Sequence, residues 1–201
     1  MTAFEERGGN STFDLHLKRR PFFLYPGGQH PIKRWGERLD ALYPGGRGSI
    51  QRLGSSAGYK FDFEAPLSDT MDSHRLYLWA ERQGSGQGER VAEAISRMYF
   101  ENARPLADRE MLCSCVSEVG LDVDSARSYL ASEAGYDEVR ESVENNLRMG
   151  IHSIPVFVFR SLGYETVVHG SASVRRFGEV LDTILATEVP ERGETSRKSE
   201  L

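Results

Sequence analysis

The sequence predicts an α/β fold in which a block of helices interrupts a small sheet. Three observations carry this expectation. An alternating segment near the N-terminus reads as a strand, five consecutive segments then show helical periodicity, and two short β runs followed by an amphipathic helix close the chain.

The first strand is expected at residues 12–18. Thr12-Phe13-Asp14-Leu15-His16-Leu17-Lys18 alternates apolar and polar side chains, the pattern of a half-buried strand. Pro21 and Pro26 prevent it from continuing as a central strand, because proline has no N–H for a ladder. Residues 27–58 are rich in Gly, Pro and Ser and read as loop, with one short helical candidate at residues 32–42.

From Ser68 the period changes. Ser68 or Asp69 can N-cap a helix running to about Gln83, stopped by Gly84-Ser85-Gly86. Val91, Ala94, Ile95 and Met98 mark one face of a second helix. Leu112, Cys115, Val116 and Val119 mark a third, with Gly120 in the position that ends it. Val123, Ala126 and Leu130 mark a fourth, and Tyr136, Val139, Val143 and Leu147 a fifth that ends at Gly150.

Residues 155–159 and 164–168 are then short β runs around the turn Ser161-Leu162-Gly163, a hairpin. Gly170 breaks it. Val174, Phe177, Leu181, Ile184 and Leu185 form the stripe of a last helix. Residues 188–201 are polar, contain Pro190 and Gly193, and read as a disordered tail.

Composition narrows the class. With 39% hydrophobic and 27% charged residues the chain has the make-up of a globular domain. The 25 basic against 30 acidic residues give a formal charge of -5, which favours neither nucleic acid nor an anionic membrane surface. No apolar run approaches the roughly 20 residues of a membrane span, and residues 1–9 lack the apolar stretch of a signal peptide. The expected location is therefore cytoplasmic. Two cysteines one residue apart make no secreted disulfide framework.

Several motifs together resemble one family. Gly150-Ile151-His152-Ser153-Ile154-Pro155-Val156-Phe157 is similar to the G-V-x-G-V-P-x-F loop of the DsbA family of thioredoxin-like proteins, in which the X-Pro bond is cis. His169-Gly170-Ser171-Ala172 resembles the segment that opens the family's final helix. Arg20-Pro21-Phe22-Phe23-Leu24-Tyr25-Pro26, Phe61-Asp62-Phe63 and Asp69-Thr70-Met71-Asp72-Ser73-His74-Arg75-Leu76 resemble its FrnE-like branch. Arg97-Met98-Tyr99-Phe100, Asp108-Arg109-Glu110-Met111-Leu112 and Val119-Gly120-Leu121-Asp122 continue the match. Kappa-class glutathione transferases and 2-hydroxychromene-2-carboxylate isomerases share the same insertion plan.

The resemblance implies a thioredoxin-like α/β domain over residues 11–187. Residues 11–26 and 150–187 form its thioredoxin part, and residues 68–149 a helical insertion. It also implies a chain truncated before the first strand and its Cys-x-x-Cys. In the family's sheet order, 2-1-3-4, that loss opens a gap. The gap is closed by residues 12–18 shifting beside residues 155–159, or by another chain's strand, or it marks an incomplete chain.

The expected function follows: a thiol–disulfide oxidoreductase-like protein without dithiol activity of its own. The alternatives are a glutathione-dependent transferase or isomerase, or a non-catalytic module binding extended peptides along the cis-proline. No catalytic residue is assigned. Ile154 and Pro155 are expected to offer backbone groups to an extended peptide or to glutathione, a form of strand addition. Asp69 and His74 are candidates beside the same substrate. Asp69 stands where the branch carries Asn, which changes the sign of a site for an anionic or thiolate-bearing ligand.

Other groups read blandly. Cys113 and Cys115 are two apart on a helix, a spacing that does not bring side chains together, and Cys115 falls on the apolar face. His74, His152 and His169 are scattered, without metal-ligand spacing. The terminal Lys198-Ser199-Glu200-Leu201 resembles K-D-E-L and, more faintly, S-K-L, but matches neither.

Overall fold

The computed structural model describes residues 15–24 and 33–188. They belong to two compact units, one within Leu15–Gly150 and one within Ile151–Leu201.

The larger unit is helical. Helices α1 (Trp35–Leu42) and α2 (Gly46–Ser56) precede α3 (Met71–Glu81), α4 (Gln87–Phe100), α5 (Arg109–Glu118), α6 (Val123–Ala131) and α7 (Tyr136–Arg148). Helix α3 is the hub and packs on α4, α5, α6 and α7. Its Leu76, Trp79 and Ala80 meet Val91, Ala94 and Ile95 of α4, Met111, Leu112, Cys115 and Val116 of α5, and Ala126 and Leu130 of α6 in one buried cluster. Most positions of the helical stripes read from spacing are buried here; Met98, Val119 and Val123 pack against the cluster from its edge, Tyr136 is half-buried, and Leu147 is exposed on α7.

Two N-termini are closed by carboxylates. Asp108 Oδ1 accepts from the N–H groups of Glu110 and Met111 at 3.0 and 3.1 Å, and Asp122 does the same for Asp124 and Ser125. Helix α3 starts differently. Thr70 occupies the cap position without a side-chain bond, and Asp69, one residue earlier, accepts the Met71 N–H at 2.8 Å.

The glycine-rich stretch corrects the loop reading of residues 27–58, since α2 lies inside it. Gly54 is buried against the Phe61 ring, where a Cβ would approach to 2.6 Å, so its lack of a side chain serves packing and not a turn. Phe61, Phe63 and Phe100 gather around Trp35 at ring separations of 4.8–5.9 Å, and the Trp35 indole donates to the Asp62 carbonyl at 2.9 Å. This cluster ties α1 to the end of α4. Residues 25–32, part of the expected loop, lie outside the described residues.

The smaller unit is a hairpin and a helix. Strands β1 (Val156–Ser161) and β2 (Tyr164–His169) pair antiparallel, from Val156 opposite His169 to Ser161 opposite Tyr164. Gly163, at φ 77°, supplies the left-handed position of the two-residue turn. Helix α8 (Val174–Glu188) covers one face, with the Phe177 ring 4.8 Å from Phe157 and 6.0 Å from Phe159. Val168 and Val180 are the buried members here, while Val174, expected on the helix's apolar stripe, is exposed.

The N-terminal strand is corrected in its described part. Residues 15–18 have no strand geometry, and Leu15 and Leu17 are 63% and 60% exposed. Alternation predisposes a segment to pair, but a strand needs a neighbour's ladder, and β1–β2 is the only sheet among the described residues. The expected shift of this segment beside residues 155–159 is therefore not seen there. Residues 12–14 and the expected tail after Glu188 lie outside the described residues.

Candidate functional site

The lead-in to β1 belongs to the hairpin unit. Gly150 adopts φ 80° after the helix, as the reading of that glycine as a helix stop requires. The Ile154–Pro155 peptide bond is cis. The Pro155 carbonyl accepts the Gly170 N–H at 2.8 Å, which extends the ladder one step beyond the Val156–His169 pair and anchors Pro155 to the end of β2. Ile154 is exposed, and its own backbone groups make no hydrogen bond among the described residues. An open N–H and C=O beside an anchored strand are what an extended ligand needs to add to a sheet.

His152 and His169 are exposed in the same unit. The helix that follows is capped by Ser173, whose hydroxyl accepts the Arg176 N–H at 3.2 Å.

Asp69 and His74 belong to the helical unit, at the start of α3. Asp69 is exposed and its Oδ1 is engaged by the Met71 N–H. His74 is half-buried, and its ring lies 5.6 Å from that of Phe23. Burial lowers its pKa below the ordinary histidine value. The nearby Phe22 backbone and the Asp69 charge oppose that fall without reversing it. His74 accordingly favours the neutral ring and packs beside Phe23, with Asp69 acting on it through its charge.

The residue beside it passed unnoticed in the sequence. Arg75 is fully buried. Its Nε donates to the Ala134 carbonyl at 2.8 Å, Nη2 to Tyr129 and Ser132 at 2.9 and 2.6 Å, and Nη1 to Leu130 at 3.4 Å and Asp72 Oδ1 at 2.5 Å. The guanidinium also sits 4.0 Å from the Tyr136 ring centre. It satisfies the carbonyls that end α6 and those of the turn into α7, which a helix otherwise leaves without donors. Asp72 is held in turn by Arg109 at 2.6 Å. The available signal was an Asp three residues before an Arg on the buried face of α3.

The two thiols are poor nucleophiles. Cys113 and Cys115 are both free and both buried, Cys113 at 3% exposure having been left off the apolar face by spacing. Burial raises the Cys113 pKa and pushes that of Cys115 up to about 11. Reactive cysteines show the opposite, a depressed pKa at an exposed helix N-terminus or beside a cation. Here both lie on the inner face of α5, beyond its first turn.

Among the described residues no group of His, Cys, Asp and Glu is arranged to hold a metal ion, and no helix is long and apolar enough to cross a membrane. A depression of about 510 Å³ in the helical unit is lined by Arg47, Lys60 and residues 61–64 with Glu101, and contains neither Asp69 nor His74.

Comparison with known proteins adds to this geometry. Residues 8–182 match the DSBA-like thioredoxin domain. The structure is similar to the crystal structure of a probable DsbA oxidoreductase from Streptomyces coelicolor, with a TM-score of 0.67 and 26% sequence identity. That similarity covers 82% of this chain and 73% of the other. Among curated proteins, none matches.

Proposed function

The chain belongs to the family of DSBA-like thioredoxin domains, with the α/β thioredoxin-like fold and its helical insertion, and from that membership we propose that it binds extended thiol- or disulfide-bearing peptides without exchanging disulfides through its own cysteines. The observation that carries this reading is the contrast between an open lead-in to β1 and two closed thiols. Ile154 is exposed, with no backbone hydrogen bond among the described residues, beside an anchored Pro155, while Cys113 and Cys115 are buried with raised pKa values. Disulfide exchange requires a thiolate to attack a disulfide sulfur, and neither cysteine supplies one near neutral pH.

We place the chain in the FrnE-like branch on the motifs at residues 20–26, 61–63 and 69–76. Glutathione, which presents the same extended backbone, is the alternative ligand for Ile154 and Pro155, and Asp69 and His74 remain candidates beside it.

The test has two arms. An insulin-reduction assay should stay at background, and a chromogenic disulfide reagent should label neither cysteine in the native chain but both after unfolding. Calorimetry should then show a cysteine-containing peptide binding to the native chain and weakening in Pro155→Ala. Insulin reduction that is lost with Cys113→Ala or Cys115→Ala would overturn the first half of the reading. Peptide binding unaffected by Pro155→Ala would overturn the second, and saturable glutathione binding without peptide binding would favour the transferase-like alternative.

A further inference from the structure

Strand β1 has two edges, and β2 occupies one of them. On that inner side the Pro155 carbonyl accepts the Gly170 N–H, next to the Val156–His169 pair. In an antiparallel ladder a residue points both of its backbone groups to one side, and its neighbours point theirs to the other. Residues 157 and 159 therefore face β2, while the N–H and C=O groups of Val156, Val158 and Arg160 face outward. No described strand pairs with that outer edge. An unpaired edge without an internal proline is a template for another strand. The two faces of the hairpin also differ. Phe157 and Phe159 lie on the face that Phe177 of α8 covers. Val158 and Val167 lie opposite each other on the other face, both 41% exposed, and Arg160 pairs there with Glu165 at 2.5 Å.

The sequence carries a segment that fits this edge. Phe13, Leu15 and Leu17 alternate with Asp14, His16 and Lys18, and in the described part both leucines are exposed without strand geometry. The segment is anchored just beyond Lys18. The Tyr77 hydroxyl accepts the Arg19 N–H at 2.9 Å, and the Asn146 amide donates to the Pro21 carbonyl at 2.9 Å. We propose that residues 14–18 of a second copy add antiparallel to the outer edge of β1, and that two copies exchange this strand reciprocally as a two-fold dimer.

Patterning and charge choose the register. The leucines belong on the face of Phe157 and Phe159, since the opposite choice sets Asp14 and His16 against those rings. Leu15 then meets Phe159 and Leu17 meets Phe157, with Asp14 opposite Arg160, His16 opposite Val158 and Lys18 opposite Val156. Arg160 comes to lie between two carboxylates, those of Asp14 and Glu165. A slip of two residues either way loses the Asp14–Arg160 pair. A parallel strand with the leucines beside the same rings puts Lys18 beside Arg160, a like-charge contact. The occupant is a second copy because every chain carries both the strand and the edge, and residues 15–18 do not pair with β1 within the described chain.

Sedimentation velocity of the full chain from about 1 μM to about 200 μM should show a monomer–dimer equilibrium. Leu15→Lys with Leu17→Lys, at positions exposed in the single chain, should leave its circular dichroism unchanged and raise the dimer dissociation constant at least about a hundredfold. Oxidative cross-linking of two variants mixed in equal amounts reads the register, since each carries one new thiol and the native thiols are buried. Lys18→Cys should link to Val156→Cys, which the pairing sets about 5.5 Å away between Cα atoms, within disulfide reach. It should not link to Arg160→Cys. Should Val156→Cys fail to fold, His16→Cys with Val158→Cys tests the same register. A chain that stays monomeric over the whole range would overturn the proposal. So would a dimer that survives both lysines, or a link to Arg160→Cys in place of Val156→Cys.

Discussion

Replacing Arg75 tests how far one buried cation organises the helical unit. Arg75→Met keeps most of the stem's volume and removes the guanidinium. Four carbonyls, those of Tyr129, Leu130, Ser132 and Ala134, then lose a donor, and Asp72 loses one of its two arginine partners. An orphaned buried polar group costs about 1–3 kcal/mol, and breaking a buried ion pair about 3–5 kcal/mol. These overlap and do not add, because Arg109 still holds Asp72 and the turn at residues 132–134 is exposed enough to admit water. A loss of about 4 kcal/mol is expected, a large part of the roughly 5–15 kcal/mol that stabilises a domain.

Urea denaturation followed by far-ultraviolet circular dichroism measures it, with the melting temperature expected to fall by about 8–16 °C for a chain of this size. Arg75→Lys should recover only part of the loss, since a single ammonium with three donors cannot span carbonyls on both sides of the turn. Arg82→Met removes a surface pair with Glu138 and should cost less than about 1 kcal/mol. A loss below about 1 kcal/mol for Arg75→Met, or an Arg75→Lys chain as stable as wild type, would refute the reasoning.

Two further substitutions probe the same unit. Gly135→Ala should destabilise by about 2 kcal/mol or more, because Gly135 holds φ 80° and a Cβ would overlap the Tyr129 hydroxyl. Gly120→Ala, at φ 79° in open space, should cost only about 1 kcal/mol, and equal losses in denaturant titration would contradict the steric argument. Asp108→Ala should cost about 1 kcal/mol through the lost cap of α5. Its carboxyl is held below the ordinary aspartate value, first by Arg104 and then by the helix N–H groups. That contribution is present above the ordinary range and fades as pH falls through it, so wild type and Asp108→Ala should converge in acid.

Legibility varied with the range of the forces involved. Helices α4 to α7 were readable because each carries its apolar stripe at helical spacing and ends in a recognisable glycine or cap. The Gly120 and Gly150 stops fall where the spacing put them. The hairpin was readable from two β-branched runs around Leu162-Gly163. Helix α2 was hidden because its glycines signal a turn locally, while Gly54 serves a contact with Phe61 that only the folded chain creates. His74 was singled out, but the ring it packs against, Phe23, lies far upstream, beyond any local pattern.

By itself the sequence determined the α/β class, the succession of helices, the hairpin lead-in at Ile154 and Pro155, and the motifs of the family, all of which rest on neighbours within a few turns of chain. Tertiary structure decided the rest. It buried both thiols of α5, put Arg75 beneath the end of α6, and left Leu15 and Leu17 exposed despite their strand-like alternation. The physical reason is common to all three. Burial and hydrogen-bond partnership depend on what arrives from distant chain, and periodicity states which face a residue shares but not what will cover it.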